Sequence, residues 1–395
     1  MTVRVRFAPA PSGDLHVGGA MVAVANDLLR RREGGAFVLR IDDTHAEETA
    51  PGAEAAIADA LAWLGIAVDE GPLRQSDRAD AHRALADELV AAGAAERLAD
   101  GAVALPAVER DVTVEDLSRG PIRLPAGAIG RTVLVRADGR PTFHLATAAD
   151  DRDLAITHVL RGEDHIANTA VQLVIAEGAG FAPPTFAHLP ICVGEDGAKL
   201  STSAGTAGVA GLRAAGVPPE AVVDWLARSA CPPLTALPAA DAAALAAAFD
   251  PARLGHGTTR LDPALLASLG RDHLALLAPD DLFGRVLARL DGADPAAVRA
   301  LAPGLGDACT LDEAAALVRG VLDRPAPLPP TDADRAAAAA LLAADTRDPD
   351  ALDAGKRAIR RVLTGSDRGV PLPFVLAALP RAEVVARAQA VLDQP

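Results

Sequence analysis

Tyrosine is absent from this 395-residue chain, and 8 Phe with 2 Trp make up its whole aromatic content. That shortage counts against a platform of stacked aromatic rings for single-stranded nucleic acid. Lysine is almost missing too: Lys199 and Lys356 stand alone, and every other basic residue is arginine. A codon bias towards GC produces this pattern without selection on fold, so a retained lysine is worth examining. Cys192, Cys231 and Cys309 are dispersed, with no Cys-x-x-Cys pair, which excludes a thiolate zinc site and a disulfide framework. No apolar run approaches the roughly 20 residues a membrane helix needs. The chain opens into a strand-like Val3-Arg4-Val5-Arg6-Phe7, which leaves no room for a signal peptide. A soluble cytoplasmic protein without membrane contact is expected. Positive charge is also in deficit: 53 acidic against 38 basic residues give a net −15. Such a balance argues against indiscriminate nucleic-acid binding, where phosphate contacts dominate affinity, yet it permits one local basic surface.

What is present is a chain half hydrophobic and long enough for roughly two or three domains with a substantial core. Its first 200 or so residues alternate strand and helix. A strand at 3–7 leads through a Pro/Gly loop, Ala8 to Leu15, into a helix over 17–32 whose apolar positions 17, 21, 24, 28 and 29 share one face. A second strand over 36–41 and a helix over 51–64 follow, an order that implies an α/β fold with a parallel sheet. Residues 96–150 read as short, Gly/Pro-punctuated and β-like, with a hairpin turn at Asp138-Gly139. Strands resume at 155–160 and 187–193. Beyond about Thr206 the chain is Ala/Leu-rich and helical, including the alanine-rich run 337–344.

The segment from Arg6 to Gly19 carries the sharpest chemistry. It is a strand, a rigid proline loop and a helix N-terminus bearing His16, Gly18 and Gly19. A helix N-terminus attracts phosphate, glycines allow close backbone approach, and an imidazole can donate to phosphate oxygens. Later segments recur in a telling order: Arg40-Ile41-Asp42-Asp43-Thr44, Gln75-Ser76-Asp77-Arg78, Pro141 to Ala146, Arg161-Gly162-Glu163-Asp164-His165, His188-Leu189-Pro190 and Lys199-Leu200-Ser201. Together they resemble the class I aminoacyl-tRNA synthetases in their glutamyl-tRNA synthetase version, from the HIGH signature through to the start of the mobile KMSKS loop. Arg361-Val362-Leu363-Thr364-Gly365 looks like the end of that family's anticodon-binding domain.

The resemblance implies a Rossmann-like catalytic domain over 1–95 and 133–205, with a shortened acceptor-end insertion at 96–132. It implies an all-α remainder, a stem-contact region over 206–290 and an anticodon-binding-like domain over 291–395. It implies ATP-dependent activation of glutamate and transfer to tRNA, with ATP and Mg²⁺ but no zinc or other bound metal, by a monomer. His16 and Lys199 become the catalytic candidates. Ala8, Pro9, His16, Gly18, Gly19, His188, Leu189, Lys199 and Ser201 become the ATP contacts. Arg6, Ala10, Asp42, Phe143, Thr147 and Arg161 become the amino-acid pocket, the two arginines matching positions that hold the glutamate carboxylates. His188 alone reads equally as a satisfied buried histidine.

Departures cluster in these same segments. Thr202 stands where the family has a second loop lysine, Ala10 where it has serine, Asp42 where it has glutamate and Phe143 where it has tyrosine. Thr147 falls near a usual asparagine, and the stretch 301–306 contains no base. Three readings stay open: a compact working ligase, a repurposed paralog activating another carboxylate or serving another acceptor, and a non-catalytic nucleotide- or tRNA-binding protein.

Overall fold

The computed structural model describes residues 2–44, 49–193, 208–323, 329–344 and 355–394. Contacts divide the chain into two units, Met1–Leu212 with Val222–Pro263, and Arg213–Ala221 with Ala264–Pro395.

The first unit holds twelve strands among its described residues. They are β1 Arg4–Phe7, β2 Ala36–Ile41, β3 Glu70–Arg74, β4 Glu96–Arg97, β5 Val103–Leu105, β6 Val112–Asp116, β7 Gly120–Leu124, β8 Thr132–Val135, β9 His158–Gly162, β10 Thr185–Leu189, β11 Ile191–Val193 and β12 Thr258–Arg260. Seven form one sheet in the order β3-β2-β1-β9-β10-β6-β7, parallel throughout except for the antiparallel β6–β7 pair. Helices α1 Val17–Glu33, α2 Ala53–Trp63, α3 Ala79–Ala91, α4 Phe143–Asp153 and α5 Ile166–Gly178 connect the strands. The apolar run of β2 suits a strand covered on both faces. Helix α1 ends where Gly34 turns left-handed at φ 60°, and Arg30, Arg31 and Arg32 in its last turn complement the helix dipole.

The expected α/β order is present, with three differences. The stretch 96–150 is β-like only in part, because Phe143–Asp153 is a helix, as its three alanines favour. The strand expected at 155–160 begins at His158, since Ala155 closes α4 with a positive φ of 50°. The strand expected at 187–193 breaks at Pro190, which cannot donate to a ladder. β10 therefore stays in the large sheet while β11 pairs with β12. The inserted hairpin β6–β7 extends the main sheet through the Phe186–Asp116 pair, leaving β4-β5-β8 as a small sheet of their own.

The unit boundaries also differ from a division at 205 and 290. Residues 222–263 belong to the α/β unit, where Trp225 Nε1 donates to the Asp262 carbonyl at 3.0 Å and Arg32 donates to that of Phe249. The described residues of the second unit are helical. Thr331 and Asp334 close a capping box at the start of Asp332–Ala343. Buried Arg387 donates to the Val321, Leu322 and Leu363 carbonyls, which terminate two helices.

Candidate active site

A cleft of about 310 Å³ opens at the carboxyl ends of β1, β2, β9 and β10. The strand order reverses between β1 and β9, the place where parallel sheets leave a ligand crevice. Arg6, Ala8, Pro9, Ala10, His16, Gly18, Gly19, Asp42, Phe143, Thr147 and Arg161 all line it. Eleven residues singled out along 156 positions of sequence therefore converge. Of the others, His188 and Leu189 are 0% exposed and lie behind the cleft. Lys199, Ser201 and Thr202 fall outside the described residues.

The cleft floor is a buried ladder of charge. Asp42 accepts from Arg40 Nε at 2.7 Å, and Arg40 Nη1 donates to Asp151 Oδ1 at 2.8 Å. The same Asp151 oxygen accepts from Arg6 Nε at 3.3 Å. Behind it, Asp150 takes Arg78 Nε at 2.6 Å, Gln75 Nε2 at 2.9 Å and His82 Nε2 at 2.8 Å. Arg161 differs from the other guanidinium groups. Its Nη2 donates to two neutral oxygens, Thr169 Oγ1 and Gln172 Oε1, each at 2.7 Å, and its Nε is buried without a partner among the described residues. Among the described residues, Arg6, Arg40 and Arg78 each bond at least one carboxylate, whereas Arg161 bonds none. Burial, with Arg6 nearby, pushes that guanidinium down to about 9. An anion placed beside it would relieve this cost.

The roof is the start of α1. His16 is its N-cap, and Nδ1 accepts from the Gly19 N–H at 3.0 Å. That nitrogen is therefore a lone pair, and the neutral ring carries its proton on Nε2. Gly18 makes room for the ring, since a Cβ there would stand 3.2 Å from His16 Cε1 and Nδ1.

The family model for class I tRNA synthetases of the E and Q type, catalytic domain, matches residues 2–100 and 103–258. The chain belongs to this synthetase family. It is 36% identical to glutamate–tRNA ligase 1 of Acidiphilium cryptum strain JF-5 in an alignment over 470 positions that covers 100% of both chains. It is 34% identical to glutamate–tRNA ligase 1 of Rubrobacter xylanophilus, over 96% of this chain and 95% of that one. A crystal structure of a glutamate tRNA ligase from Elizabethkingia meningosepticum, in complex with its amino acid, superposes with a TM-score of 0.84 at 22% identity. That match covers 100% of this chain and 99% of the other, and at this identity it shows the fold.

Three features of this synthetase's cleft were not singled out from sequence. In the sequence Arg40 stands only within the Arg40–Thr44 motif, and Asp150 and Asp151 stand at the end of a stretch that reads as β-like. The signal for them was an arginine inside the otherwise apolar strand Ala36–Ile41, because a buried guanidinium demands buried carboxylates. His188 as an ATP contact is corrected on geometry: its Nδ1 lies 2.6 Å from Asp116 Oδ2 and its Nε2 2.9 Å from Thr169 Oγ1, so no ring edge faces the cleft. His144 and His165 are both held neutral by burial and then by the charge of Arg161, which lowers His165 to about 4.

Proposed function

We propose that this synthetase activates glutamate with ATP and transfers the glutamyl group to tRNA, acting as a cytoplasmic monomer. The observation that carries this reading is the buried guanidinium of Arg161, which bonds no carboxylate among the described residues, at the floor of a cleft roofed by a helix N-terminus. A guanidinium fork suits a carboxylate bidentately. Arg6, held by Asp151, supplies a second cation on the same floor. The substrate's α-carboxylate oxygen attacks the α-phosphorus of ATP, the bond to the β,γ-phosphates breaks, and pyrophosphate leaves with glutamyl adenylate remaining. The acyl group then passes to a ribose hydroxyl at the tRNA end, releasing AMP.

Such chemistry needs positioning and charge neutralisation. The Nε2–H of His16 and the first N–H groups of α1 provide donors for phosphate oxygens, and Lys199 would add a cation from the loop. Mg²⁺ would supply further neutralisation when carried with the triphosphate. A cleft roofed by donors fits a metal carried on the nucleotide.

The test is ATP–pyrophosphate exchange with glutamate, with and without tRNA, followed by charging of glutamate tRNA. Exchange with stable charging is expected. Exchange with a different acid, or without transfer, would instead support a repurposed enzyme, and no exchange with any amino acid would overturn the reading. Thr202→Lys restores a second loop cation and should raise exchange at least about tenfold, as an added transition-state donor does.

A further inference from the structure

His188 lies on β10 with both ring nitrogens engaged. A carboxylate only accepts, so Asp116 Oδ2 at 2.6 Å fixes the proton on Nδ1. Nε2 is then the acceptor that faces Thr169 Oγ1 at 2.9 Å. The Thr169 hydroxyl has one hydrogen and two candidate acceptors, this nitrogen and the His165 carbonyl at 3.1 Å. Either way its oxygen keeps a lone pair for Arg161 Nη2 at 2.7 Å. Asp116, His188, Thr169 and Arg161 form a series, all buried, and of the four Arg161 lines the cleft.

Its far end is well anchored. Asp116 closes the turn of the β6–β7 hairpin by accepting from the Ser118 and Arg119 N–H groups, both at 2.9 Å. Arg119 in the same turn pairs with Glu163, two residues beyond Arg161. Phe186, on the same face of β10 as His188, lies parallel to its ring at 6.2 Å and stands 5.6 Å from the guanidinium of Arg161. Three buried polar groups in series are costly unless each is satisfied, and this series ends on the cation that lacks an acid partner.

We propose that His188 is a positioning residue for carboxylate recognition: locked by Asp116, it fixes the Thr169 hydroxyl and, through it, the fork of Arg161. The inserted hairpin thereby aims the guanidinium without touching substrate. Naming the carboxylate as glutamate's rests on the function proposed above; the coupling to Arg161 does not.

The test compares His188→Asn, whose amide keeps the Asp116 side but not the reach to Thr169, with His188→Gln, whose amide occupies the Nε2 position. Thr169→Val and Thr169→Ser complete the set. In pyrophosphate exchange, His188→Asn and Thr169→Val should raise the glutamate KM about tenfold, while kcat and the ATP KM change by less than about twofold. His188→Gln and Thr169→Ser should stay close to wild type. A rise in the ATP KM instead would make His188 a nucleotide contact. A lowered melting temperature with unchanged KM would make it merely structural, and either result overturns the proposal. Arg161 guanidinium ¹⁵N signals, assigned through Arg161→Lys, provide a readout independent of turnover. Resolved Nη signals in the wild type should merge in His188→Asn and Thr169→Val. If the wild type fails to activate glutamate, the proposed function falls, and Arg161 signals unchanged by His188→Asn would separately sink the positioning role.

Discussion

Replacing Asp151 by asparagine removes one charge from the cleft floor and almost nothing else. Its Oδ1 takes Arg40 Nη1 at 2.8 Å and Arg6 Nε at 3.3 Å, and the side chain is 5% exposed. A pair of unit charges 4 Å apart interacts by about 4 kcal/mol at an effective dielectric near 20. Lifting the acid's own desolvation offsets part of this, and stripping one partner from a buried pair costs about 3–5 kcal/mol in practice. At about 2–4 °C per kcal/mol for a unit of this size, the melting temperature should fall by roughly 10 °C. The composition supplies a selective probe. Both tryptophans, Trp63 and Trp225, lie in the α/β unit and the chain has no tyrosine, so tryptophan fluorescence reports the unfolding of that unit alone. The glutamate KM should rise by at least about tenfold, because Arg6 loses the carboxylate that aims it. Asp138→Asn, an exposed acid paired with Arg140, should leave both readings unchanged. A shift under about 2 °C together with an unchanged KM would refute the charge-ladder reasoning.

Arg161→Met removes the guanidinium that has no acid partner, so thermal stability should hold or rise while calorimetric glutamate binding weakens by about 100-fold or more; a protein that melts far lower would contradict this. Gly18→Ala favours helix yet puts a Cβ 3.2 Å from the His16 ring. Its melting temperature should be maintained as kcat in pyrophosphate exchange drops by about tenfold, and a wild-type kcat would show that the ring position is immaterial. His165 titrates at about 4 in the folded protein against 6.5 ordinarily, chiefly through burial and then the charge of Arg161. Between those values the unfolded chain binds the extra proton, so stability falls as pH drops through this window. His165→Gln should flatten the melting-temperature profile there, and matching slopes for variant and wild type would remove the histidine from the account.

Local pattern carried far in this chain, and its limits are physical. The strands and helices around β1, α1 and β2 follow periodicity and end signals that neighbouring residues supply. Helix α4 did not, because Phe143, His144 and Thr147 follow a Gly/Pro-rich stretch and weaken the helical pattern that Ala146, Ala148 and Ala149 support. The burial of Asp150 and Asp151 is not legible locally for a related reason: two consecutive carboxylates ordinarily face water. Only the non-local pairing of β1 with β2 and β9 brings Arg6, Arg40 and Arg161 to one floor and gives those acids their partners. The hairpin β6–β7 joins the sheet through a single residue pair with β10, a contact no local pattern announces. His188 reads from sequence equally well as a ligand or a structural histidine, and Asp116 on its Nδ1 decides between them.

Asp42 shows what a difference of one methylene means once the partners are known. By length alone its carboxylate sits back from an α-ammonium. In the structure both its oxygens are occupied, by Arg40 Nε at 2.7 Å and Arg40 Nη2 at 3.2 Å, and burial raises its pKa against the pull of Arg40. Arg40 is balanced on its other side by Asp151, so the ladder from Asp42 to Arg6 is closed upon itself. Elsewhere along the cleft, Ala10 and Phe143 bring no hydroxyl, and the Thr147 hydroxyl is buried without a partner. What remains unbalanced is Arg161. A buried cation of this kind penalises any neutral group put in place of a carboxylate far more than an added or missing methylene is penalised. On the proposed function, the cleft should therefore discriminate chiefly at the carboxylate that Arg161 receives. Glutamine should be rejected more steeply than a dicarboxylate altered at its amino end.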